Sequence, residues 1–223
     1  EELCGLLAGY ACNPNVGGIT ILSLGCQHAQ VSIMEDEIAK RCPGFDKPLL
    51  VFEQQKYASE REMMEQAIRQ TFAGLAKINL LQRTPAPLSK LCLGMECGAS
   101  DGFSGISANP TMGWVADLTV GLGGRVILSE FPELCGVEQE IVNRCATRET
   151  GNRFIEIMRH YEARVKEAGS GFHMNPSPGN VKDGLITDAI KSAGAARKGG
   201  TSPVMDVLDY PEWVSRDGLS LLC

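Results

Sequence analysis

A glycine-rich segment between Glu96 and Pro110 carries the densest group of reactive side chains in the chain. Its thiol, carboxylate, hydroxyl and amide groups belong to Cys97, Ser100, Asp101, Ser104 and Asn109. An apolar run ends just before the segment at Met95, and a helix-compatible run follows it from Met112. The segment is therefore predicted to be a turn at the carboxyl end of a strand, where open α/β sheets bind ligands.

Cysteines stand in two of the predicted strand-to-helix turns, as Gly25-Cys26 and Cys97-Gly98. A helix N-terminus lowers the pKa of a nearby thiol, and the resulting thiolate is a nucleophile or a metal ligand. No CxxC pair accompanies either cysteine, so an inert, packed side chain is the alternative for each.

Carboxylates in the same kind of turn are candidates for proton transfer. Asp101 has the chemistry of a general base or a metal ligand, and its alternative role is an Asx turn that closes the glycine loop. Glu130 and Glu133 flank a proline at a predicted helix start, where carboxylates also stabilise the helix dipole. If the strands form one parallel sheet, we expect Cys26 and Cys97 to share a cleft with Asp101 and Glu130, although the strand order is open.

Two later segments offer polar groups to a ligand. Residues 175–180 place Asn175 and Asn180 on a proline-containing loop, which suits recognition of a polyhydroxylated ligand or is simply a turn. Residues 197–202 have the composition of an anion cradle with Lys198 as a point charge, and a solvated lysine at a helix end is the alternative.

Short apolar runs separated by helix-length sequence define the predicted elements. The predicted strands are Ile19 to Leu24, Pro48 to Phe52, Leu91 to Met95, Arg125 to Ser129 and Pro203 to Leu208. The predicted helices are Gln30 to Arg41, Ser59 to Ile78, Met112 to Leu122, Leu134 to Cys145, Thr147 to Glu167 and Ile186 to Arg197. This alternation predicts an α/β fold: one three-layer, Rossmann-like domain over residues 1–223, with a largely parallel sheet and helices on both faces.

Composition narrows the class of protein. The net charge of −6 and the scattered lysines and arginines argue against nucleic acid as a partner. No apolar run approaches the roughly 20 residues of a membrane span, and the first residues lack the basic start of a signal peptide, so we expect a cytoplasmic protein.

The nine cysteines have no framework spacing and are interpreted as reduced thiols. The glycine spacing after Cys97 is not the dinucleotide pattern, which gives a nicotinamide cofactor little support.

Taken in order, six motifs resemble the altronate dehydratase and galactarate dehydratase family of sugar-acid dehydratases. They are Asn13-Pro-Asn-Val-Gly-Gly18, Leu24-Gly-Cys26, the segment from Cys97 to Pro110, Ser129 to Glu133, Asn175-Pro-Ser-Pro-Gly-Asn180 and Lys198-Gly-Gly-Thr-Ser-Pro203. Three further runs are more similar to the altronate branch: Pro87 to Leu91, Cys135 to Glu138 and Asn143 to Cys145. The resemblance implies a domain excised from a longer enzyme, without the family's N-terminal small β-domain and carboxyl-terminal segment.

The resemblance also implies a function, namely the metal-assisted conversion of D-altronate to 2-dehydro-3-deoxy-D-gluconate and water. It implies a divalent metal, Fe²⁺ first, with Mn²⁺, Mg²⁺ or an iron–sulfur cluster as alternatives. The only other partner expected is the sugar acid, with a homo-oligomer left open. The alternatives are a related lyase acting on galactarate or sulfolactate, or a non-catalytic binding or assembly domain.

On this basis the candidate residues receive roles. The catalytic candidates are Asp101, Lys198 and Glu130, of which Glu130 acts as acid or ligand. The metal candidates are Cys26 and Cys97. The substrate-binding candidates are Ser100, Gly102, Ser104, Asn109, Asn175 and Asn180.

Overall fold

The computed structural model describes residues 2–98, 100–185, 187–210 and 212–223, without the side chain of Asp188. The sequence predicted one domain, whereas the structure divides into two compact units, Glu1–Thr84 and Pro85–Cys223. Each unit has its own parallel sheet and its own apolar core. Within the described ranges, no helix combines the length and the apolar character that crossing a bilayer requires.

The N-terminal unit is built on two parallel strands. Its elements are α1 (Glu2–Cys12), β1 (Ile19–Ser23), α2 (Val31–Arg41), β2 (Leu49–Glu53) and α3 (Glu60–Ile78). The strands pair in register from Ile19 opposite Leu49 to Ser23 opposite Glu53. Helices α1 and α2 pack together through small and flexible apolar side chains, among them Ala8 and Met34.

The C-terminal unit is built on four parallel strands in the order β3-β4-β6-β5. Its strands are β3 (Cys92–Met95), β4 (Arg125–Leu128), β5 (Val204–Leu208) and β6 (Gly218–Leu222). Its helices are α4 (Ala108–Gly121), α5 (Glu138–Arg144), α6 (Arg148–Glu167), α7 (Pro178–Lys182) and α8 (Asp188–Lys198). The core between sheet and helices contains Leu128, Phe131, Phe154 and Leu221, all almost fully buried.

The predicted α/β class, with parallel strands and helices packed around them, is confirmed, and all five predicted strands form. One predicted helix is shorter, because Gly136 adopts φ +95° and α5 begins only after it. The helix predicted from Ile186 begins at Asp188 as α8, and Ile186 itself lies outside the described residues.

A pair of glycines lets α4 and α8 approach closely. A Cβ added to Gly113 on α4 would lie 2.2 Å from the carbonyl oxygen of Arg197 on α8. A Cβ added to Gly194 on α8 would lie 3.1 Å from the side-chain nitrogen of Asn109 on α4. The close contact therefore places Asn109 against Gly194 and Gly113 against the carboxyl end of α8.

Gly113→Ala is expected to lower the free energy of unfolding by about 1–3 kcal/mol, since the added methyl must push the two helices apart. Gly121→Ala is the matched control, because it lies on the same helix and no atom stands within 4 Å of its added Cβ. That variant should be neutral or stabilising by about 0.5–1 kcal/mol. Denaturant unfolding followed by circular dichroism measures both, and equal midpoints for the two variants would contradict the packing argument.

Candidate active site

A cleft lies beside the carboxyl ends of β3 and β4 in the C-terminal unit. The empty space in and in front of it, with the open solvent at its mouth included, amounts to about 310 Å³. Six of the residues singled out from the sequence line it: Cys97, Ser100, Ser104, Asn109, Glu130 and Lys198. The structure therefore brings together residues from the glycine-rich turn, the turn after β4 and the end of α8.

A buried ion pair forms one wall of the cleft. The ammonium of Lys198 donates a hydrogen bond to the carboxylate of Glu130, and the two residues are only 6% and 2% exposed. Burial raises the pKa of Glu130, with smaller contributions from the charges of Glu133 and Glu96, while Lys198 acts in the opposite direction. A carboxylate and an ammonium held in this way are suited to passing a proton to and from a ligand.

The glycine-rich turn is closed by its own side chains. The carboxylate of Asp101 accepts hydrogen bonds from the backbone N–H groups of Phe103 and Ser104, at 2.7 and 3.1 Å. The hydroxyl of Ser104 donates back to the carbonyl of Asp101 at 2.6 Å. This is the Asx-turn alternative, and Asp101 does not line the cleft. Cys97 does line it, and the sulfur of Cys97 lies 3.3 Å from the hydroxyl of Ser100.

The segment 175–184 supports that turn from outside. The amide nitrogen of Asn180 donates to the carbonyl of Ser100 at 3.4 Å, and Asn180 also completes the capping box of α7 with Ser177. The N–H of Gly102 donates to the carbonyl of Asp183 at 2.9 Å. Asn180 and Gly102 were predicted to contact substrate, yet both make contacts within the protein and neither lines the cleft.

One charged residue that lines the cleft was not singled out from the sequence. Lys191 on α8 lines the cleft and donates a hydrogen bond to the side-chain oxygen of Asn175. Asn175, also predicted to bind substrate, thus contacts a lysine, and it does not line the cleft. Lys191 precedes Lys198 by seven residues, a spacing that places both on the same face of a helix, and this signal was present in the sequence.

The predicted anion cradle after α8 already holds an anion of the protein. The carboxylate of Asp117 on α4 accepts hydrogen bonds from both the N–H and the hydroxyl groups of Thr201 and Ser202, at 2.6–3.0 Å. The cradle prediction was therefore wrong for an external ligand, because a side chain of the same unit occupies the donors. Burial would raise the pKa of Asp117, but these hydrogen bonds outweigh it and hold the pKa below its ordinary value.

Cys26 lies in the other unit, exposed and just after β1. The expectation of a shared cleft assumed one sheet, and β1 pairs only with β2 among the described strands. The described residues also contain no group of three His, Cys, Asp or Glu side chains that could hold a metal ion. By themselves, they do not fit a protein-ligated metal centre.

Comparison with known proteins identifies the family. Residues 1–79 match the family model "D-galactarate dehydratase/Altronate hydrolase, second domain", and residues 88–223 match "D-galactarate/Altronate dehydratase, C-terminal". Together the two models span nearly the whole chain. The chain therefore belongs to the D-galactarate/altronate dehydratase family.

Three relatives illustrate the likeness. The chain is 34% identical to the altronate dehydratase of Bacillus subtilis (strain 168), over 94% of this chain and 41% of that protein. It is 32% identical to the altronate dehydratase of Escherichia coli (strain K12), over 97% of this chain and 43% of that protein. It is 32% identical to the galactarate dehydratase (L-threo-forming) of the same strain, over 93% and 40%. The chain thus spans about two fifths of the length of these relatives.

The Glu130–Lys198 pair predicts a strong energetic coupling. Glu130→Gln or Lys198→Met alone is expected to lower the free energy of unfolding by about 3–5 kcal/mol, because each leaves an uncompensated buried charge or acceptor. The double variant should be destabilised by less than the sum, with a coupling of about 0.5–3 kcal/mol. A double-mutant cycle by urea unfolding measures this, and strictly additive losses would show that the pair does not act as a unit.

The Asp117 contacts predict a dependence of stability on acid. Its folded pKa is depressed, so its stabilisation is present above the unfolded pKa of about 4 and is lost as pH falls through the folded value. At neutral pH, Asp117→Asn should cost about 1.5–3 kcal/mol, the range for hydrogen bonds to a charged group. The difference in unfolding free energy between wild type and variant should shrink below about pH 4. A difference that stays constant down to pH 2 would refute this assignment.

Proposed function

We propose that the cleft of the C-terminal unit takes part in the dehydration of a sugar acid, with D-altronate as the first substrate. The products are 2-dehydro-3-deoxy-D-gluconate and water. Membership of the family and the names of two relatives support a sugar-acid substrate. The observation that carries the proposal is the buried Glu130–Lys198 pair, placed among hydroxyl and amide groups in an open cleft.

The reaction requires two proton movements. The hydrogen on the carbon next to the carboxylate is weakly acidic and must be taken by a base, while the hydroxyl on the following carbon must receive a proton as it leaves. Removal of that hydrogen, loss of the hydroxyl as water and tautomerisation of the resulting enol give the 2-keto-3-deoxy acid. Glu130 and Lys198 place a carboxyl group and an amine in contact, and burial raises the pKa of Glu130, which suits it to hold and give up a proton.

The remaining cleft residues suit a polyhydroxylated ligand. Ser100 and Ser104 offer hydroxyls, which both donate and accept hydrogen bonds. Asn109 is only 9% exposed and faces the cleft, where its amide would distinguish the orientation of a substrate hydroxyl. These three side chains therefore remain the proposed substrate contacts.

A divalent metal, with ferrous iron first, remains part of the proposal although no step above uses it. In the cleft, Cys97 is the predicted metal ligand and Glu130 was predicted as acid or ligand; the sulfur of Cys97 lies beside a serine hydroxyl. A metal at Cys97 would need its other ligands from substrate, water or residues beyond those described. Metal analysis of the whole protein, compared with Cys97→Ser and Cys26→Ser variants, tests the two proposed ligands.

The second candidate substrate is D-galactarate. It is favoured by the 32% identity to a galactarate dehydratase, which nearly equals the identity to the altronate dehydratases. Galactarate carries a carboxylate at each end of the carbon chain, so it brings one more negative charge into the cleft than altronate does. Direct competition between the two acids for one preparation separates the candidates.

The whole protein, reconstituted anaerobically with ferrous iron, is expected to convert D-altronate to a 2-keto-3-deoxy acid. Glu130→Gln and Lys198→Met should each lower kcat by about 10²–10⁴-fold, the range for loss of a general acid or base. The exposed Lys90→Met is the matched control and should retain full activity. Product formation is followed by a colorimetric assay for 2-keto-3-deoxy acids and by mass spectrometry.

Turnover that survives in both cleft variants would remove the pair from the mechanism. Turnover of D-galactarate alone would move the substrate assignment to that acid. Binding of both acids without turnover of either would contradict the dehydratase proposal and favour a binding domain.

A further inference from the structure

We propose that Lys191 binds the carboxylate of the sugar acid, while Lys198, the other lysine of the cleft, takes part in proton transfer. The inference rests on the proposed function, in which a sugar acid occupies the cleft. It assigns a specific role to a residue that the sequence did not single out. It also assigns Asn175 a different role from the predicted substrate contact.

The first argument is the balance of charge in the cleft. Two lysines line it, Lys191 and Lys198. The charge of Lys198 is neutralised by its contact with Glu130, so that lysine has little net charge to offer an anion. A substrate carboxylate that enters the cleft therefore needs another cation, and Lys191 is the remaining one among the described lining residues.

The second argument is what Lys191 contacts. The carboxylate paired with it, that of Glu133, lies 3.9 Å from its nitrogen, which is beyond hydrogen-bonding distance. Its hydrogen bond goes to the amide oxygen of Asn175, which is polar but uncharged. An ammonium has three donors, so this arrangement fixes Lys191 in place and leaves donors for a ligand, on a charge that no described carboxylate meets with a hydrogen bond.

The third argument is position. Lys191 and Lys198 are seven residues apart on α8, about 10 Å along the helix axis, and their flexible side chains line one cleft. In a sugar acid, the carboxylate and the hydrogen to be removed are on adjacent carbons. The cation that binds the carboxylate must therefore share a cleft with the proton-transfer pair, and Lys191 lines that cleft.

Asn175 is then a positioning residue. Its side-chain oxygen accepts from Lys191 without cancelling the charge of the lysine. An aspartate at the same position would have nearly the same shape but would neutralise the ammonium. The neutrality of Asn175 is thus a requirement of the inference, and it supplies an isosteric test.

The test compares Lys191→Met, Lys191→Arg, Asn175→Asp and Asn175→Ala in the whole protein. Dissociation constants for D-altronate and D-galactarate are measured by calorimetry, and kcat and KM are measured where turnover occurs. Lys191→Met and Asn175→Asp should weaken binding of the acids by about 10- to 100-fold, the range for a hydrogen bond to a charged group. Lys191→Arg should retain most of the affinity, and kcat should change by only a few-fold. Lys90→Met is the exposed control.

Asn175→Ala separates charge from structure, because it removes the acceptor but leaves the lysine charged. It is expected to weaken binding less than Asn175→Asp does. Equal losses in these two variants, or wild-type affinity in Lys191→Met, would overturn the inference. Thermal unfolding of every variant identifies any that fails to fold. If Lys191→Met does not fold, the affinity of Lys191→Arg for the acids becomes the test, and a loss of that affinity would overturn the inference.

The outcomes keep this inference apart from the proposed reaction. If the acids bind in a Lys191-dependent manner and none is turned over, the carboxylate site stands and the dehydratase proposal fails. If D-altronate is turned over and Lys191→Met leaves KM unchanged, the reaction stands and the carboxylate site fails. If neither acid binds the wild type, the inference is overturned.

Discussion

A carboxylate and an ammonium are buried against each other where β4 and α8 end, and neither charge is tolerable there without the other. The contact therefore constrains where the last turn of α8 lies relative to the end of β4. The turn after Lys198 is held accordingly from two sides. Asp117 of α4 accepts from its N–H and hydroxyl groups, and Arg144 of α5 donates to the carbonyls of Gly199 and Ser202, at 3.1 and 3.0 Å. Contacts from α4, from α5 and from the turn after β4 thus all help to keep the ammonium of Lys198 in place.

The position of the end of α8 also accounts for two glycines near the cleft, Gly113 and Gly200. The end of α8 that carries Lys198 lies close to α4, and Gly113 permits an approach that a single methyl group would block. Gly200 completes the arrangement with φ +62°, a conformation that favours glycine, and its added Cβ would lie 2.5 Å from Asp117. The glycines of the Lys198–Ser202 turn are therefore explained by packing and backbone conformation, without any external anion.

Much of this could be predicted from the sequence. The strands were recognisable because buried parallel strands are short apolar runs, and the reactive turns followed because parallel strands bring their carboxyl ends to one edge. Five of the predicted residues that line the cleft follow β3 or β4 for that reason, whereas Lys198 reaches it from the end of α8. The position of β6 between β4 and β5 could not be predicted, since strand order depends on tertiary packing. Whether Asp101 closes a turn or acts as a base depends on where its oxygen points, which the residue type does not determine. Asp117 was missed because it stands 84 residues before its partner Thr201.

The two lysines on one face of α8 show how much of a residue's role its neighbours decide. Lys198 faces a carboxylate and is almost fully buried, so its charge is balanced by that partner. Lys191 donates a hydrogen bond to an amide, and its ion pair with Glu133, at 3.9 Å, includes no hydrogen bond. The same side chain, repeated after two turns of helix, is thereby suited to two different tasks. In a chain with a net charge of −6, an anionic ligand is repelled by most of the surface, so such a local cation determines where the ligand can bind.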